Sequence, residues 1–320
     1  MRRLGKEIWK NRALYIMLLP GLVWFFIFAY MPMGGLTLAF KDFNASLGIW
    51  GSPWSGLDNF RDLFHDPAFL RSVWRTLAIN IGKLIVSFPV PVALALLFKE
   101  LRMRRYSKAL QTVFTFPNFL SWVITSGIII NILSNSGLVN GLLQTMGFDT
   151  VNFLGSEKMF IPMLYLSEIW KTSGWSAIIY MASISGIDAE QYEAAQLDGA
   201  SRFQMMMHIT LPSIAPTIIV MFILASGNLM TSSFDQVFNL SNAATKNVAE
   251  VLDMYIYRIT FQSSTDFSFS TAASLFRSVV NMILLLAADW GAKRMGGTGL
   301  FGGVQKGEGK REKRKARKAA

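Results

Sequence analysis

Two groups of residues in this chain have types and spacings that could do chemistry. The first is a set of ionisable side chains set within or at the ends of apolar runs: Lys83, Glu168, Lys171, Arg277 and Asp289. A charge in a hydrocarbon environment is costly, so such residues face a cavity or a partner. Glu168 and Lys171 stand three apart, which lets them pair on one helix face. The other use of the same cations, Lys83, Lys171 and Arg277, is to line a polar pathway. The second group is the segment Gly186-Ile187-Asp188-Ala189-Glu190-Gln191-Tyr192-Glu193-Ala194-Ala195-Gln196-Leu197-Asp198-Gly199-Ala200-Ser201-Arg202-Phe203, which continues to Ile209-Thr210-Leu211-Pro212. It reads as two short helices with a break. Asp188 is a good N-cap, and Gln191 completes a capping-box pattern with it. Gly199 suits the left-handed position that stops a helix, and Ser201 can cap the next turn. Ala194, Ala195 and Ala200 keep the surface thin, so another backbone can come close. Glu193 and Asp198 place charge at the rim.

Chemistry of other kinds finds little support. The chain has no cysteine and only two histidines, His65 and His208, so neither a thiolate site nor a histidine cluster is available. No nucleophile–base–acid set stands out, and no G-x-x-x-x-G-K-[ST] loop is present to cradle a nucleotide. The sequence therefore indicates no catalytic residue, no metal ligand and no cofactor of its own.

The elements that must position these residues are membrane spans. Of the 320 residues, 52% are hydrophobic and only 16% charged, against about 25% charged in a soluble domain. Six stretches are long and apolar enough to cross about 30 Å of hydrocarbon as helices: 13–33, 76–98, 110–133, 160–183, 209–232 and 271–290. Lys and Arg concentrate in the leader 1–12, the 99–109 loop, and the region after the last span with the tail that follows it. With six spans these basic segments fall on one side, so both termini are expected to be cytoplasmic. The net charge of +11 thus reports topology and anionic lipid rather than a nucleic-acid groove. The membrane-embedded body is read as 13–295, and the basic tail 296–320 as disordered. The fold class is all-α integral membrane.

The segment around Glu193-Ala194-Ala195 and Asp198-Gly199-Ala200, with Ile209-Thr210-Leu211-Pro212, resembles the EAA loop of bacterial ABC importer permeases. A chance match at these spacings is on the order of 10⁻¹¹ per start position. Further stretches resemble the polysaccharide or complex-carbohydrate subgroup. They include Tyr30-Met31-Pro32-Met33-Gly34-Gly35-Leu36, Ala39-Phe40-Lys41-Asp42-Phe43, Gly51-Ser52-Pro53-Trp54 and Gly56-Leu57-Asp58-Asn59-Phe60. The resemblance implies a six-helix type I importer bundle in the bacterial cytoplasmic membrane. It also implies a second related permease, two ATPase subunits that bind ATP and Mg²⁺, an external solute-binding protein and a carbohydrate substrate. By the same carry-over, Glu193, Ala194, Ala195, Asp198, Gly199 and Ala200 would contact the ATPase.

On that reading a pathway through the spans would use aromatic faces against sugar C–H faces and amides against hydroxyls. Trp170, Trp175, Asn228, Asp235 and Asn281 join Lys83, Lys171 and Arg277 as candidates, and cations on the path would favour an acidic sugar. The competing roles are interface anchoring for Trp and helix joining for the polar residues. An intramembrane enzyme would need converging carboxylates or a metal site. A secondary transporter would show internal symmetry and leaves the EAA-like loop unexplained.

Overall fold

The structure is a computed structural model that describes residues 9–101, 103–231, 234–263, 266–294 and 299–300. Most of the basic leader and nearly all of the tail assigned to 296–320 lie outside the described residues. Regular structure among the described residues is helical, apart from an isolated antiparallel bridge between Lys41 and Trp54. The helices used below are α1 (Arg12–Phe25), α2 (Asp58–His65), α3 (Pro67–Ser87), α4 (Pro89–Glu100), α5 (Arg104–Thr115), α6 (Trp122–Leu133) and α7 (Leu138–Thr145). They are followed by α8 (Glu157–Ser185), α9 (Ala189–Leu197), α10 (Arg202–Met205), α11 (Leu211–Ser226), α12 (Phe234–Leu240), α13 (Leu252–Arg258) and α14 (Phe267–Arg294).

Among the described residues, five helical runs are long and apolar enough to cross a membrane: Arg12–Phe40, Pro67–Glu100, Trp122–Thr145, Arg202–Ser226 and Phe267–Arg294. The remaining expected span, 160–183, lies within α8. Its 29 residues extend about 44 Å, ample for a bilayer. It is less apolar because it is the interior helix. It buries Phe160, Leu164 and Ala177, but also Ser167, Lys171 and Ser173. A helix that faces protein on several sides can carry polar groups that a lipid-facing helix cannot. Helix α1 is the opposite case and buries no residue.

Two spans differ from the sequence expectation. The stretch 110–133 is not one helix. It breaks after α5 into a 3-10 turn, Phe116–Phe119, and restarts at α6, with Ser121 Oγ accepting the Ile124 N–H at 3.3 Å. Pro117 lacks an N–H and cannot continue the ladder. The stretch 209–232 starts earlier, through α10 and a π-turn at Met206–Thr210, and ends at Ser226.

The chain divides into two compact units: Met1–Leu70 with Tyr255–Ser278, and Arg71–Met254 with Val279–Ala320. In the first, Phe69 packs near Phe276 and Tyr255, with centroids 5.3 and 5.8 Å away, and the Tyr255 hydroxyl donates to Asp66 Oδ2. The subgroup-like stretches meet here. Lys41 Nζ donates to the Ile49 and Trp50 carbonyls at 2.9 and 3.1 Å and lies 5.0 Å from the Trp54 ring centre. Asn59 Nδ2 donates to the Ala39 and Lys41 carbonyls, both at 3.0 Å. Those residues clasp one loop.

In the second unit, α8 packs along α4, α5 and α11. One apolar core joins Val92, Ala95 and Phe98 to Ala177, Tyr180, Ile184 and Ile214. Another joins Ile79 and Phe160 to Val237, Leu240 and Val251.

Candidate functional site

Helix α9 carries the EAA-like residues. Asp188 caps it by accepting the Glu190 N–H at 3.1 Å. The capping box expected at Asp188 and Gln191 forms instead at the next start. Ser201 Oγ accepts from the Gln204 N–H at 3.3 Å, and Gln204 Oε1 accepts from the Ser201 N–H at 2.7 Å. Between the two starts, Gly199 has φ +78°. The Gly199 N–H donates to Gln196 O at 3.1 Å and the Ala200 N–H to Ala195 O at 2.9 Å. These are the paired bonds of a Schellman ending, and they explain why a glycine is placed there.

The resulting knob is exposed. Helix α9 buries none of its residues; Leu197 is 90% and Phe203 65% exposed. Glu193, Ala194, Asp198 and Gly199 are exposed, and Ala195 and Ala200 are half-buried. The knob is tied at its base to two spans. The Tyr192 hydroxyl shares a hydrogen bond of 2.9 Å with Thr210 Oγ1, and Lys99 Nζ sits 3.7 Å from the Tyr192 ring centre. Arg202 lies 3.9 Å from Glu100. Helix α9 is thus linked through Tyr192 to the end of α4 and to the entry of α11.

A cavity of about 380 Å³ lies between α3, α8 and α11. Its polar lining includes Asn80, Lys83, Ser87, Glu168, Thr172 and Asn228. Lys83 Nζ donates to Gln236 Oε1 at 2.6 Å and stands 3.6 Å from Glu168 Oε2. Gln236 is fully buried, and its Nε2 donates to Leu164 O at 2.7 Å and Ser167 Oγ at 2.8 Å. The cavity wall also holds two buried oxygens with no hydrogen-bond partner, Glu168 Oε2 and Ser87 Oγ. The Lys83–Glu168 separation is an ion pair beyond hydrogen-bond length.

Lys171 does not pair with Glu168, which corrects the reading from their spacing. Its ammonium turns the other way and donates to the carbonyls of Pro117 and Asn118, both at 3.3 Å, and to that of Leu120. Those carbonyls are freed by the break in the third span. Backbone at membrane depth must find partners inside the protein; Pro117 O accepts the Leu120 N–H at 3.2 Å, and Lys171 adds a donor to all three. It is 7% exposed and does not line the polar cavity.

The other pathway candidates scatter. Trp170 lines a separate, almost wholly apolar cleft of about 340 Å³ with Ile129, Met163 and Leu166. Trp175 stacks edge-on to Phe119 at 5.6 Å. Asn281 accepts the Met230 N–H at 2.9 Å and donates to Thr231 Oγ1 at 2.8 Å, securing the chain after α11. Asn228 reaches the cavity wall, and Asp235 is exposed on α12. Arg277 is half-buried on α14, in the first unit. Thus Lys83 and Asn228 meet in one cavity and the rest do not. Glu168, Ser87, Asn80 and Thr172 were not among the pathway candidates. Their signal in the sequence is polarity at i, i+4 and i, i+7 on α3 and α8. Among the described residues no group of three His, Cys, Asp or Glu could hold a metal.

Residues 87–297 match the family model of the binding-protein-dependent transport system inner membrane component. Protein LplB of Bacillus subtilis is 40% identical over 293 residues, 91% of this chain and 92% of the relative. The polygalacturonan/rhamnogalacturonan transport system permease protein YteP of the same organism is 40% identical over 301 residues, 94% of each. Among solved structures, a chain of a bacterial alginate ABC transporter in complex with an alginate pentasaccharide-bound periplasmic protein superposes with a TM-score of 0.84. It is 38% identical, and the alignment covers 93% of this chain and 100% of that one.

Proposed function

This chain belongs to the binding-protein-dependent transport system inner membrane component family, and we propose that it forms half of the translocation path of an ATP-driven importer of oligo- or polysaccharides. Its role is transport rather than catalysis, within an importer that works with a solute-binding protein, and it resides in the cytoplasmic membrane. The proposed assembly adds a second, homologous permease and two ATPase subunits, which bind the ATP and Mg²⁺. Both termini and α9 face the cytoplasm, in keeping with the basic segments on that side.

The observation that carries this reading is the geometry of α9. It is an exposed, Schellman-ended helix whose Tyr192 fastens its base to the end of α4 and the entry of α11. Glu193, Ala194, Ala195, Asp198, Gly199 and Ala200 present the surface that the ATPase grips, and closure of the ATPases moves the spans as rigid bodies. The saccharide class rests on the relatives, one named for polygalacturonan and rhamnogalacturonan and another solved with an alginate-bound periplasmic protein.

The test is purification of the tagged chain from its own cell in mild detergent. An ATPase and a different permease should co-purify, and the ATPase should be lost on Gly199→Arg while the variant stays in the membrane. A chain that purifies alone and moves solute without ATP would overturn the proposal.

A further inference from the structure

The first unit carries an exposed apolar lobe between the end of the first span and α2. From Phe43 to Leu57 the chain has no ionisable residue, although about 25% charged residues is ordinary in a soluble domain. Charge returns only at the flanks, in Asp42 and Asp58, both exposed. Trp50 is 76% exposed, and Leu47, Trp54 and Leu57 are each more than half exposed. Large apolar side chains concentrated in one uncharged loop call for a cover other than water.

Three features bear on what that cover is. The first is depth. A Cβ built on Gly34 would lie 3.5 and 3.6 Å from two ring carbons of Trp50, so this indole rests against the end of the first span. Gly34 stands 22 residues beyond Arg12, about 33 Å along a helix, against about 30 Å of hydrocarbon. Trp50 is thus at the hydrocarbon boundary, where tryptophan is enriched in membrane proteins. The second is continuity. Met31 and Met33, in the last turns of the same span, are exposed too, and the Gly34 contact carries that apolar surface on into the lobe. The third is the main chain. Lys41 is buried, and its ammonium occupies the carbonyls of Ile49 and Trp50. Ser52 Oγ donates to Gly48 O at 2.7 Å and accepts the Asn44 N–H at 3.0 Å, and the Asp42 N–H donates to Pro53 O at 3.0 Å. Backbone that enters a lipid interface must be satisfied from inside. A protein that read this loop through its main chain would find those acceptors taken.

We propose that residues 43–57 form an interfacial anchor, which seats Leu47, Trp50, Trp54 and Leu57 among phospholipids of the leaflet opposite the N-terminus and so fixes the depth of the first span. Leu47 and Trp50 stand three apart about the helical turn Gly48–Gly51 and leave it on one side. The indole N–H groups meet headgroup oxygens and water, while the rings meet the upper acyl chains. Lys41 is a positioning residue here: it keeps the turn closed with two of its carbonyls drawn inward.

The chain has no cysteine, so Leu47→Cys gives it a single thiol for a fluorescent label. The membrane complex that co-purifies with this chain, its other subunits cleared of cysteine, is reconstituted in vesicles of phosphatidylcholine and phosphatidylglycerol. Emission is read against a nitroxide carried near the top of a lipid acyl chain and, separately, against iodide on both faces of the membrane. The label should lose most of its emission to the lipid nitroxide and little to iodide. Leu57→Cys, at the other end of the lobe, repeats the reading should the first variant fail to assemble. Trp50→Ser with Trp54→Ser, added to either reporter, should move the label from nitroxide quenching to iodide quenching. Quenching of the single-thiol proteins by iodide alone places the lobe in water and overturns the anchor. Quenching by neither places it under a protein neighbour and overturns it as well. Nitroxide quenching unchanged by the paired tryptophan variant shows that the depth is set elsewhere, and overturns the anchoring role.

Discussion

The ammonium of Lys99, at the end of α4, sits 3.7 Å from the ring centre of Tyr192 in the exposed helix α9. The same tyrosine's hydroxyl reaches Thr210, at the entry of α11. One side chain thus links the knob to two spans that are distant in sequence. An exposed cation–π contact contributes about 0.5–1 kcal/mol, and a hydrogen bond about as much. Such energies do not hold a fold together, but they tie α9 to the ends of two spans.

Tyr192→Ala should therefore separate assembly from coupling. The ATPase should still co-purify, while sugar uptake per ATP hydrolysed falls severalfold. Tyr192→Phe keeps the ring over Lys99 and should retain most of the coupling. Parallel uptake and phosphate-release measurements in proteoliposomes check this. Equal ratios in wild type and Tyr192→Ala would show that the link carries no force.

Gly199 makes a conformational demand. At φ +78° an L side chain is strained by about 1–2 kcal/mol, and asparagine tolerates the region better than alanine or valine. No atom crowds the position, so strain and partner contact are the costs to separate. ATPase retention should rank Gly, then Asn, then Ala, then Val. Retention that instead tracked side-chain volume would place the cost in the partner contact.

The polar residues of the spans were legible as a set and not as pairs. Capping in α9 and the glycine stop follow from contacts within a few residues, so the sequence exposes them. Even there Asp188…Gln191 and Ser201…Gln204 carry the same pattern, and only the second closes the box. Lys171 looked like the partner of Glu168 because helix spacing is all that local reasoning sees. Its true acceptors lie around Pro117, across a helix break that must be known first. Trp170 and Trp175 also read alike, yet one lines an apolar cleft and the other packs on Phe119.

Lys171 should then behave as a structural residue. Lys171→Met takes a donor from three carbonyls after α5, of which Pro117 O keeps the Leu120 N–H, at about 1–3 kcal/mol. The thermal midpoint of the purified transporter should fall, with the uptake ratio of acidic to neutral sugar unchanged. A selective loss of the acidic sugar with an unchanged midpoint would return Lys171 to the pathway.

Lys83 and Glu168 should be non-additive. Removing one partner of a mostly buried pair costs about 3–5 kcal/mol, whereas replacing both by apolar groups of similar volume is often neutral. Lys83→Met and Glu168→Met should each lower the thermal midpoint, and the double variant should regain most of the loss. Additive losses would mean that the ion pair at 3.6 Å is not what balances the site.

Gly174 sets how closely two spans approach. A Cβ built on it would lie 2.1 Å from Phe114 O and 2.7 Å from Thr115 N, both main-chain atoms of α5 that cannot swing aside. Small residues at membrane helix crossings permit this kind of backbone contact. The close approach also brings α8 alongside the broken third span, within reach of Lys171. Gly174→Ala should thus force α5 and α8 apart and loosen the Lys171 contacts together. Its thermal midpoint should drop at least as far as that of Lys171→Met, and adding Lys171→Met to it should cost little more. By contrast Gly127→Ala, where nothing lies within 4 Å of the added carbon, should leave the midpoint near wild type. A midpoint for Gly174→Ala equal to that of Gly127→Ala would show that the two helices have room to part.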